Sequence, residues 1–168
     1  MIQGNRIRLR AIEHADLAQF VTWLNDPEVT AGLVHVTPMS FDDEERWYEG
    51  VLKRPMEERP MAIEVREDGG WKMIGNMALF EIDWRNRASE VGIFIGEKRL
   101  WNQGLGSEAM SIMLRHAFNT LNLNRVMLRV YETNPRAIHA YEKAGFVHEG
   151  RLRQAEYRNG DYVDVLLM

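Results

Sequence analysis

The chain has 168 residues, of which 45% are hydrophobic and 27% are charged, and its formal net charge is −4. This composition is ordinary for a globular protein, and the length predicts one domain that spans residues 1–168. The small acidic surplus disfavours a nucleic-acid-binding protein, which is more often basic. No apolar run approaches the roughly 20 residues that span a bilayer, and the N-terminus lacks a signal peptide, so no membrane partner is expected.

The chain contains no cysteine, which excludes disulfides and thiolate chemistry. The absence of cysteine is compatible with a reducing compartment, and a cytoplasmic location is therefore expected. The histidines are scattered without metal-ligand spacing, so no metal site is expected. They are His14, His35, His116, His139 and His148. The sequence also has no Gly-x-Ser-x-Gly elbow and no Walker lysine loop.

The first quarter of the chain predicts one strand and two helices. Charged and apolar residues alternate from Arg6 to Ile12, which indicates a half-buried strand with its arginines facing solvent. Helical spacing of apolar residues from Asp16 to Leu24 predicts a first helix. Ser40 and Asp43 match a capping box at the start of a second helix. The segment between the helices, Glu28 to Met39, has no clear period and is a candidate for lining an acceptor site.

Three strands joined by short turns follow. They are predicted from Pro60 to Val65, from Trp71 to Ile82 and from Ser89 to Ile95, and they should form an antiparallel meander. Gly92 interrupts the third of them. It indicates a β-bulge, a close approach by a ligand, or a glycine tolerated for packing, and the sequence leaves these interpretations open.

A crossover unit is predicted in the second half of the chain. Apolar residues recur on one face of a long helix, namely Met110, Met113, Leu114, Ala117, Phe118 and Leu121. A strand from Arg125 to Tyr131 follows this helix. Strand, helix and strand together predict a right-handed crossover with two parallel strands.

The C-terminal part begins with a helix and ends with a hairpin. Asn134 and Pro135 fit the cap and first residue of a helix that Gly145 ends. Asn159 and Gly160 predict a type I′ turn between two strands. The predicted fold class is α+β, with a mixed, mostly antiparallel sheet, one parallel crossover and flanking helices.

The stretch from Arg99 to Ala109 joins the strand ending at Ile95 to the long helix, and it predicts an anion site. Gly104 and Gly106 lack a Cβ, so backbone N–H groups can turn toward a ligand where the helix begins. The unpaired N–H groups and positive dipole end of the helix favour a phosphate or pyrophosphate. A tight strand-to-helix turn is the alternative use of two glycines.

The loop Trp101-Asn102-Gln103-Gly104-Leu105-Gly106 and the block from Asn134 to Phe146 resemble the GNAT superfamily of N-acetyltransferases. The signature loop of that family is Gln/Arg-x-x-Gly-x-Gly/Ala, from which this chain departs at Trp101. An aromatic residue there is similar to the branch of ribosomal-protein and spermidine N-acetyltransferases. The order of the predicted elements also fits, and the resemblance covers nearly the whole chain.

The resemblance implies that acetyl-coenzyme A binds in a V-shaped opening between the fourth and fifth predicted strands, which are Ser89 to Ile95 and Arg125 to Tyr131. The fourth strand and the last helix would contact the pantetheine arm, and the glycine loop would hold the pyrophosphate. The cofactor-binding residues implied in this way are Ile93, Phe94, Ile95, Trp101, Asn102, Gln103, Gly104, Leu105, Gly106, Ser107, Asn134, Ala137 and Tyr141. Simple helix capping is an equally supported interpretation of Asn134.

Acetyl transfer to an amine requires a neutral nitrogen and a proton for the leaving thiolate. Tyr141 matches the family tyrosine that acts as general acid near the sulfur. Without the resemblance, the preferred interpretation would be that Tyr141 packs its helix against the sheet. Glu90 is the hypothesis for the general base because it adjoins the pantetheine-binding segment. Glu81 and Asp83 are the alternative candidates for the general base.

Two other functions are weighed against this one. The pattern Gly104-x-Gly106-x-x-Ala109 also fits a dinucleotide fingerprint, but Gly96 to Gln103 separate it from the strand, which disfavours a nicotinamide-dependent oxidoreductase. A non-catalytic acyl-coenzyme A-binding module would keep the anion site without the chemistry. The acceptor stays open between a polyamine, a protein N-terminus and another small amine. A homodimer through the C-terminal strands is also considered.

Overall fold

The computed structural model describes residues 1–34 and 37–168; His35 and Val36 lie outside the described residues, and with them part of the predicted acceptor segment. The strands are β1 (Ile2–Gln3), β2 (Ile7–Ala11), β3 (Met61–Glu67), β4 (Gly70–Asp83), β5 (Ala88–Ile95), β6 (Arg125–Met127), β7 (Arg129–Tyr131), β8 (Gly150–Arg158) and β9 (Asp161–Leu167). The α-helices are α1 (Leu17–Leu24), α2 (Pro27–Thr30), α3 (Phe41–Leu52), α4 (Leu105–Arg115) and α5 (Pro135–Ala144). Among the described helices, none is both long and apolar enough to traverse a bilayer.

The strands form two sheets. The larger sheet has the order β1-β2-β3-β4-β5-β6, in which neighbours are antiparallel except for the parallel pair β5 and β6. The smaller sheet has the antiparallel order β7-β9-β8. The predicted α+β class, the meander and the parallel crossover are therefore confirmed.

The strand predicted from Arg125 to Tyr131 is broken at Leu128. β6 pairs with β5 only over Ala88–Glu90, whereas β7 pairs with β9. Leu128 also exchanges two backbone hydrogen bonds with Met168, at 2.9 and 3.1 Å. The prediction of one continuous strand is wrong because the C-terminal strand captures its second half. Among the described residues, Val91–Ile95 of β5 consequently face a gap instead of a strand.

Two apolar cores cover opposite faces of the larger sheet. The main core contains Met110 and Met113 of α4 together with Val91 of β5. The second core joins α1 to the other face through Phe20, against which Phe94 of β5 packs. Successive strand side chains alternate between faces. Odd-numbered positions of β5 therefore face α4, and even-numbered positions face α1.

Three predicted local signals are confirmed. Ser40 and Asp43 form the reciprocal capping box of α3. The Asn134 side chain accepts a hydrogen bond from the Ala137 N–H at the start of α5. Asn159 and Gly160 have φ values of 51° and 97°, as a type I′ turn requires.

The helix after the glycine loop ends differently from the prediction. A π-helical turn spans His116–Thr120 directly after α4. A π turn holds more residues than an α turn and so shifts the phase of the apolar face. Ala117 remains fully buried, but Phe118 is 41% exposed. The placement of Phe118 on the apolar face was wrong because it assumed an unbroken α-helical period.

Gly92 makes room for a neighbouring side chain. A Cβ at Gly92 would lie 2.7 Å from Cε2 of Phe80. The register shift between β4 and β5 lies between Phe80 and Asp83. The bulge interpretation of Gly92 is therefore wrong, and packing accounts for the glycine.

Two features of the N-terminal region differ from the predictions. Arg8 and Arg10 were expected to face solvent, but both donate hydrogen bonds to the buried carboxylate of Glu64. The segment from Glu28 to Met39 has no clear period in the sequence, but α2 covers its first residues. Asp26 caps this helix by accepting a hydrogen bond from the Glu28 N–H at 2.9 Å, and proline takes the first helical position.

Glu44 is a carboxyl on the buried face of α3. Only 3% of the residue is exposed, and burial raises its pKa to about 7. The group is therefore largely protonated in mildly acidic solution and charged above neutrality, where the folded protein has to bury a carboxylate.

We expect Glu44→Gln to stabilise the protein more at pH 8 than at pH 5. The pKa of Glu44 is 4.5 in the unfolded reference and about 7 in the folded chain, so the folded state binds the proton more tightly. The stability from this proton is fully present below pH 4.5 and is lost as the pH rises through 7. The gain from the substitution should therefore be about 2 kcal/mol larger at pH 8.

Urea unfolding at the two pH values measures this difference. Glu49→Gln, at an exposed position of the same helix, is the control and should show no such dependence. Equal effects of Glu44→Gln at both pH values would contradict the burial of an ionisable carboxyl.

Candidate functional site

The gap beside β5 exposes one edge of the sheet backbone. Val91–Ile95 pair with β4 on one side only. Their remaining N–H and C=O groups require hydrogen-bond partners and can pair with an extended ligand that carries amides. The side chains of Ile93 and Ile95 pack on the main core, and Phe94 packs on the second core. Backbone groups of Ile93 and Ile95 point to the gap, whereas those of Phe94 face β4, because hydrogen bonding alternates along an antiparallel pair.

The start of α4 forms an open cradle at the end of this gap. Gly104 has a φ of 77°, a left-handed conformation that suits glycine, and within residues 1–34 and 37–168 no side chain caps the helix. The first N–H groups of a helix have no intrahelical partner. A Cβ at Gly106 would meet no atom within 4 Å, so the space above the first turn is open. This geometry suits an anion.

Arg6 adds positive charge to the cradle. Its Nη1 donates to the carbonyl oxygen of Gln103 at 3.0 Å, and its Nη2 lies 3.5 Å from the position of a Cβ at Gly104. Glu108 holds Arg6 there by accepting bonds from its backbone N–H and its Nε, both at 2.8 Å. Arg6 was not predicted as a site residue, because it lies about 100 residues away in the chain.

Trp101 is fixed between β5 and α5. Its Nε1 donates to the carbonyl oxygen of Ile95 at 2.8 Å, and the guanidinium carbon of Arg136 lies 3.4 Å from the ring centroid. Stacking of this kind is favourable for an arginine. A cationic side chain thus stands beside the loop position at which the family pattern has Gln or Arg. The only sequence signal for Arg136 was its place in the block after Asn134.

The other predicted loop residues have mainly structural contacts. Asn102 has a φ of 62°, a left-handed conformation that asparagine tolerates. Leu105 is buried in the main core. The Ser107 hydroxyl donates to the carbonyl oxygen of Ala140 at 3.2 Å and so joins α4 to α5. The first turn of α4 therefore offers backbone groups, and its side chains hold the turn in place.

Asn134 lies between β7, which borders the gap, and α5. Its Oδ1 accepts a hydrogen bond from the Ala137 N–H at 3.2 Å. Capping therefore uses the oxygen and leaves the Nδ2 donor for another partner. A Cβ at Gly32 would lie 2.6 Å from that Nδ2, so the glycine lets the loop after α2 lie against Asn134.

Tyr141 lies on α5 and packs against the main core. Its ring makes an edge-to-face contact with Phe146 at a centroid distance of 6.1 Å. Burial raises the pKa of Tyr141 to about 12. The phenol therefore keeps its proton at neutral pH and can donate a hydrogen bond to a developing thiolate, whose ordinary pKa is about 8.5.

Glu90 lies on the opposite face of the sheet. It lines a cleft of about 370 Å³ together with Arg54, Glu58, Phe80, Glu81 and Arg129. Arg129 donates to both carboxylate oxygens of Glu90, at 3.0 and 2.8 Å. Asp83 instead accepts two hydrogen bonds from Asn86 in the following turn. The structure therefore brings Glu81 and Glu90 together and leaves Asp83 in the turn.

In residues 1–34 and 37–168 no group of three His, Asp or Glu side chains is placed to hold a metal ion. His35, one of the five histidines considered in the sequence, lies outside the described residues.

The sequence is similar to known acetyltransferases. Residues 6–147 match the family model of the acetyltransferase (GNAT) domain. The chain is 33% identical over 166 residues to spermidine N(1)-acetyltransferase of Vibrio cholerae, covering 98% of this chain and 92% of that protein. It is 31% identical over 144 residues to an L-amino acid N-acetyltransferase of Escherichia coli, covering 84% and 83% of the two chains.

The fold is also found among solved structures. The crystal structure of spermidine N-acetyltransferase from Vibrio cholerae in complex with coenzyme A and spermine superposes with a TM-score of 0.87 at 30% identity, covering 98% of this chain and 94% of that one. The glycine loop is thus the loop of an acetyltransferase domain, which removes the basis for the dinucleotide interpretation. The chain belongs to the GNAT acetyltransferase family and is an acetyl-coenzyme A-dependent N-acetyltransferase.

Proposed function

We propose that the protein acetylates a primary amine of a polyamine by direct attack on acetyl-coenzyme A in a ternary complex. The observation that carries this proposal is the gap between β5 and β7, which ends at the open start of α4. A long, narrow thioester with a diphosphate at one end fits such a groove.

The coenzyme is proposed to follow the gap. The N–H groups of residues 104–106 would hold its diphosphate, with Arg6 and Arg136 supplying positive charge. Its pantetheine amides would pair with the backbone of Ile93–Ile95. The Nδ2 of Asn134, between β7 and α5, is a further donor.

The acetyl transfer uses groups from both faces of the sheet. The amine nitrogen forms a bond to the thioester carbon, the carbon–sulfur bond breaks, and the sulfur leaves with the electron pair. We assign Glu90 as the base that takes the proton from the amine, with Glu81 beside it as the substitute. Tyr141 donates its proton to the leaving sulfur from the α5 face, and it regains a proton from solvent, to which the nitrogen loses its second proton as the amide forms. Arg129 orients Glu90 through its two hydrogen bonds.

A polyamine is the proposed acceptor because carboxylates outnumber arginines in the cleft beside Glu90, where Arg54 and Arg129 are the two cations. Glu58 and Glu81 line it as well, and Glu58 accepts a hydrogen bond from the Ile82 N–H at 3.2 Å. Arg129 is already engaged by Glu90. A relative named for spermidine supports this choice. A protein N-terminus is the second candidate, because the same carboxylates attract any ammonium group.

Assembly and location remain predictions from the sequence. β8 forms an edge of the smaller sheet, and residues 151–155 within it are exposed. An unpaired edge strand can pair with a second copy of itself, so we propose this edge as the surface of a homodimer. A cytoplasmic location and the absence of a nucleic-acid partner are kept as predictions.

The first experiment combines ligand binding with turnover. Coenzyme A should raise the thermal unfolding midpoint, and NAD should leave it unchanged, because only the first fits the gap. Thiol release with a panel of spermidine, amino acids and peptides should then be fastest with spermidine. Binding without turnover of any amine would support the non-catalytic acyl-coenzyme A-binding module instead. Stabilisation by NAD alone would contradict the proposed coenzyme site.

Gly106→Asp should separate coenzyme binding from stability. An aspartate in the first turn favours a helix by about 0.3–1 kcal/mol, and the position has room for a side chain. The same charge repels a diphosphate, so the Kd for coenzyme A should rise more than tenfold while the unfolding midpoint is kept.

Isothermal titration and thermal unfolding measure the two quantities. Gly106→Asn is the neutral control of similar shape and should weaken binding much less. Coenzyme binding that is the same in both variants would exclude an anion site at this turn.

The two proposed catalytic groups should leave different marks on the pH–rate profile. Tyr141→Phe should lower kcat about 100-fold and leave the KM for acetyl-coenzyme A within a few-fold. Because burial raises the pKa of Tyr141 to about 12, the wild-type kcat should not fall from its deprotonation below about pH 10. Glu90→Gln should remove the acidic limb of the profile.

Tyr162→Phe, at an exposed position, is the control for the tyrosine. A kcat of Tyr141→Phe within a few-fold of wild type would end the acid assignment. An acidic limb that survives Glu90→Gln would transfer the base role to another group, with Glu81→Gln as the next variant.

A further inference from the structure

Tyr131 carries a buried polar atom without a partner. The residue is 7% exposed, and its hydroxyl has no hydrogen-bond partner among the described residues. Such a buried, unsatisfied group costs roughly 1–3 kcal/mol, and few are tolerated in folded proteins. A phenylalanine would fill the same space without this cost. The hydroxyl is therefore available to a further hydrogen-bond partner.

The position of Tyr131 in β7 places it across the gap from the unpaired edge of β5. Val130, the preceding residue, packs in the main core. Strand side chains alternate between faces, and Tyr131 accordingly clusters with Val163 and Val165 on the other side. Arg129, two residues earlier, shares that face and binds Glu90. Tyr131 thus lies on the face of the proposed base.

The ring of Tyr131 is covered by Arg158, which also contacts the segment after α1. The guanidinium carbon of Arg158 lies 5.1 Å from the ring centroid. The Nη2 of Arg158 donates to the carbonyl oxygens of Thr30 and Ala31, at 3.0 and 3.2 Å. These two carbonyls belong to α2 and the loop after it, within the segment predicted to line an acceptor site. Arg158 thus joins Tyr131 to this segment.

We propose that Tyr131 is an acceptor-binding residue whose hydroxyl hydrogen-bonds the nitrogen of the primary amine. The phenolic oxygen can accept an N–H bond and leave the nitrogen lone pair directed at the thioester. Tyr141 and the cradle at α4 serve the coenzyme from the opposite face, so the amine is the ligand that reaches Tyr131. This inference rests on the proposed function.

Tyr131→Phe tests the assignment because it removes only the hydroxyl. Steady-state kinetics with spermidine and acetyl-coenzyme A, each varied in turn, should show a roughly tenfold fall in kcat/KM for spermidine, the effect of one lost hydrogen bond. The KM for acetyl-coenzyme A should be unchanged. The unfolding midpoint should be equal or higher, because an unsatisfied group is removed. Tyr157→Phe, 60% exposed in β8, is the control.

The outcomes distinguish the two levels of the proposal. An active wild type with an unchanged kcat/KM for spermidine in Tyr131→Phe overturns the role of Tyr131 and leaves the acetyltransferase function in place. A lower unfolding midpoint with equal losses for both substrates also overturns it, because that result indicates a structural tyrosine. A wild type that binds coenzyme A and acetylates no amine overturns the proposed function, and the role of Tyr131 with it.

Discussion

The unpaired edge of β5 is the constraint on which the rest of the structure depends. Backbone N–H and C=O groups away from water need partners, and an open strand edge is normally closed by a neighbour. Here the neighbour is diverted, because β7 pairs with β9 and Leu128 pairs with Met168. The sheet therefore keeps a slot that an amide-bearing chain can fill. By pairing with β7, the C-terminal strand thus leaves open the slot that we propose for the coenzyme.

Because strand side chains alternate between the two faces of a sheet, the proposed functional residues lie on both faces. α4 and α5 cover one face and bring the anion cradle, Asn134 and Tyr141 to the slot. α1 to α3 cover the other face of the larger sheet, and the alternation places Glu90 on that face. Tyr131 lies in the smaller sheet, in a separate cluster with Val163 and Val165. In the proposed arrangement the coenzyme is bound from one face and the amine from the other, so that both reach the slot. Such an arrangement allows direct transfer between two bound substrates without a covalent enzyme intermediate.

Local chemistry in the sequence predicted the parts of the site that depend on neighbouring residues. The glycine loop, the capping box and the Asn134 cap each involve groups a few residues apart, so their spacing was visible. The break at Leu128 depends on Met168 and could not be read from an apolar run. Arg6 and Arg136 reach the loop from distant elements, so spacing did not reveal them. Gly92 was ambiguous because its neighbour, the Phe80 ring, comes from another strand.

The most direct measurement is a crystal structure of the protein with acetyl-coenzyme A. The diphosphate should lie on the N–H groups of residues 104–106, and the pantetheine amides should hydrogen-bond the backbone of Ile93–Ile95, with the sulfur near the Tyr141 hydroxyl. A coenzyme bound elsewhere, or β5 and β7 joined along their length with no ligand between them, would contradict the account.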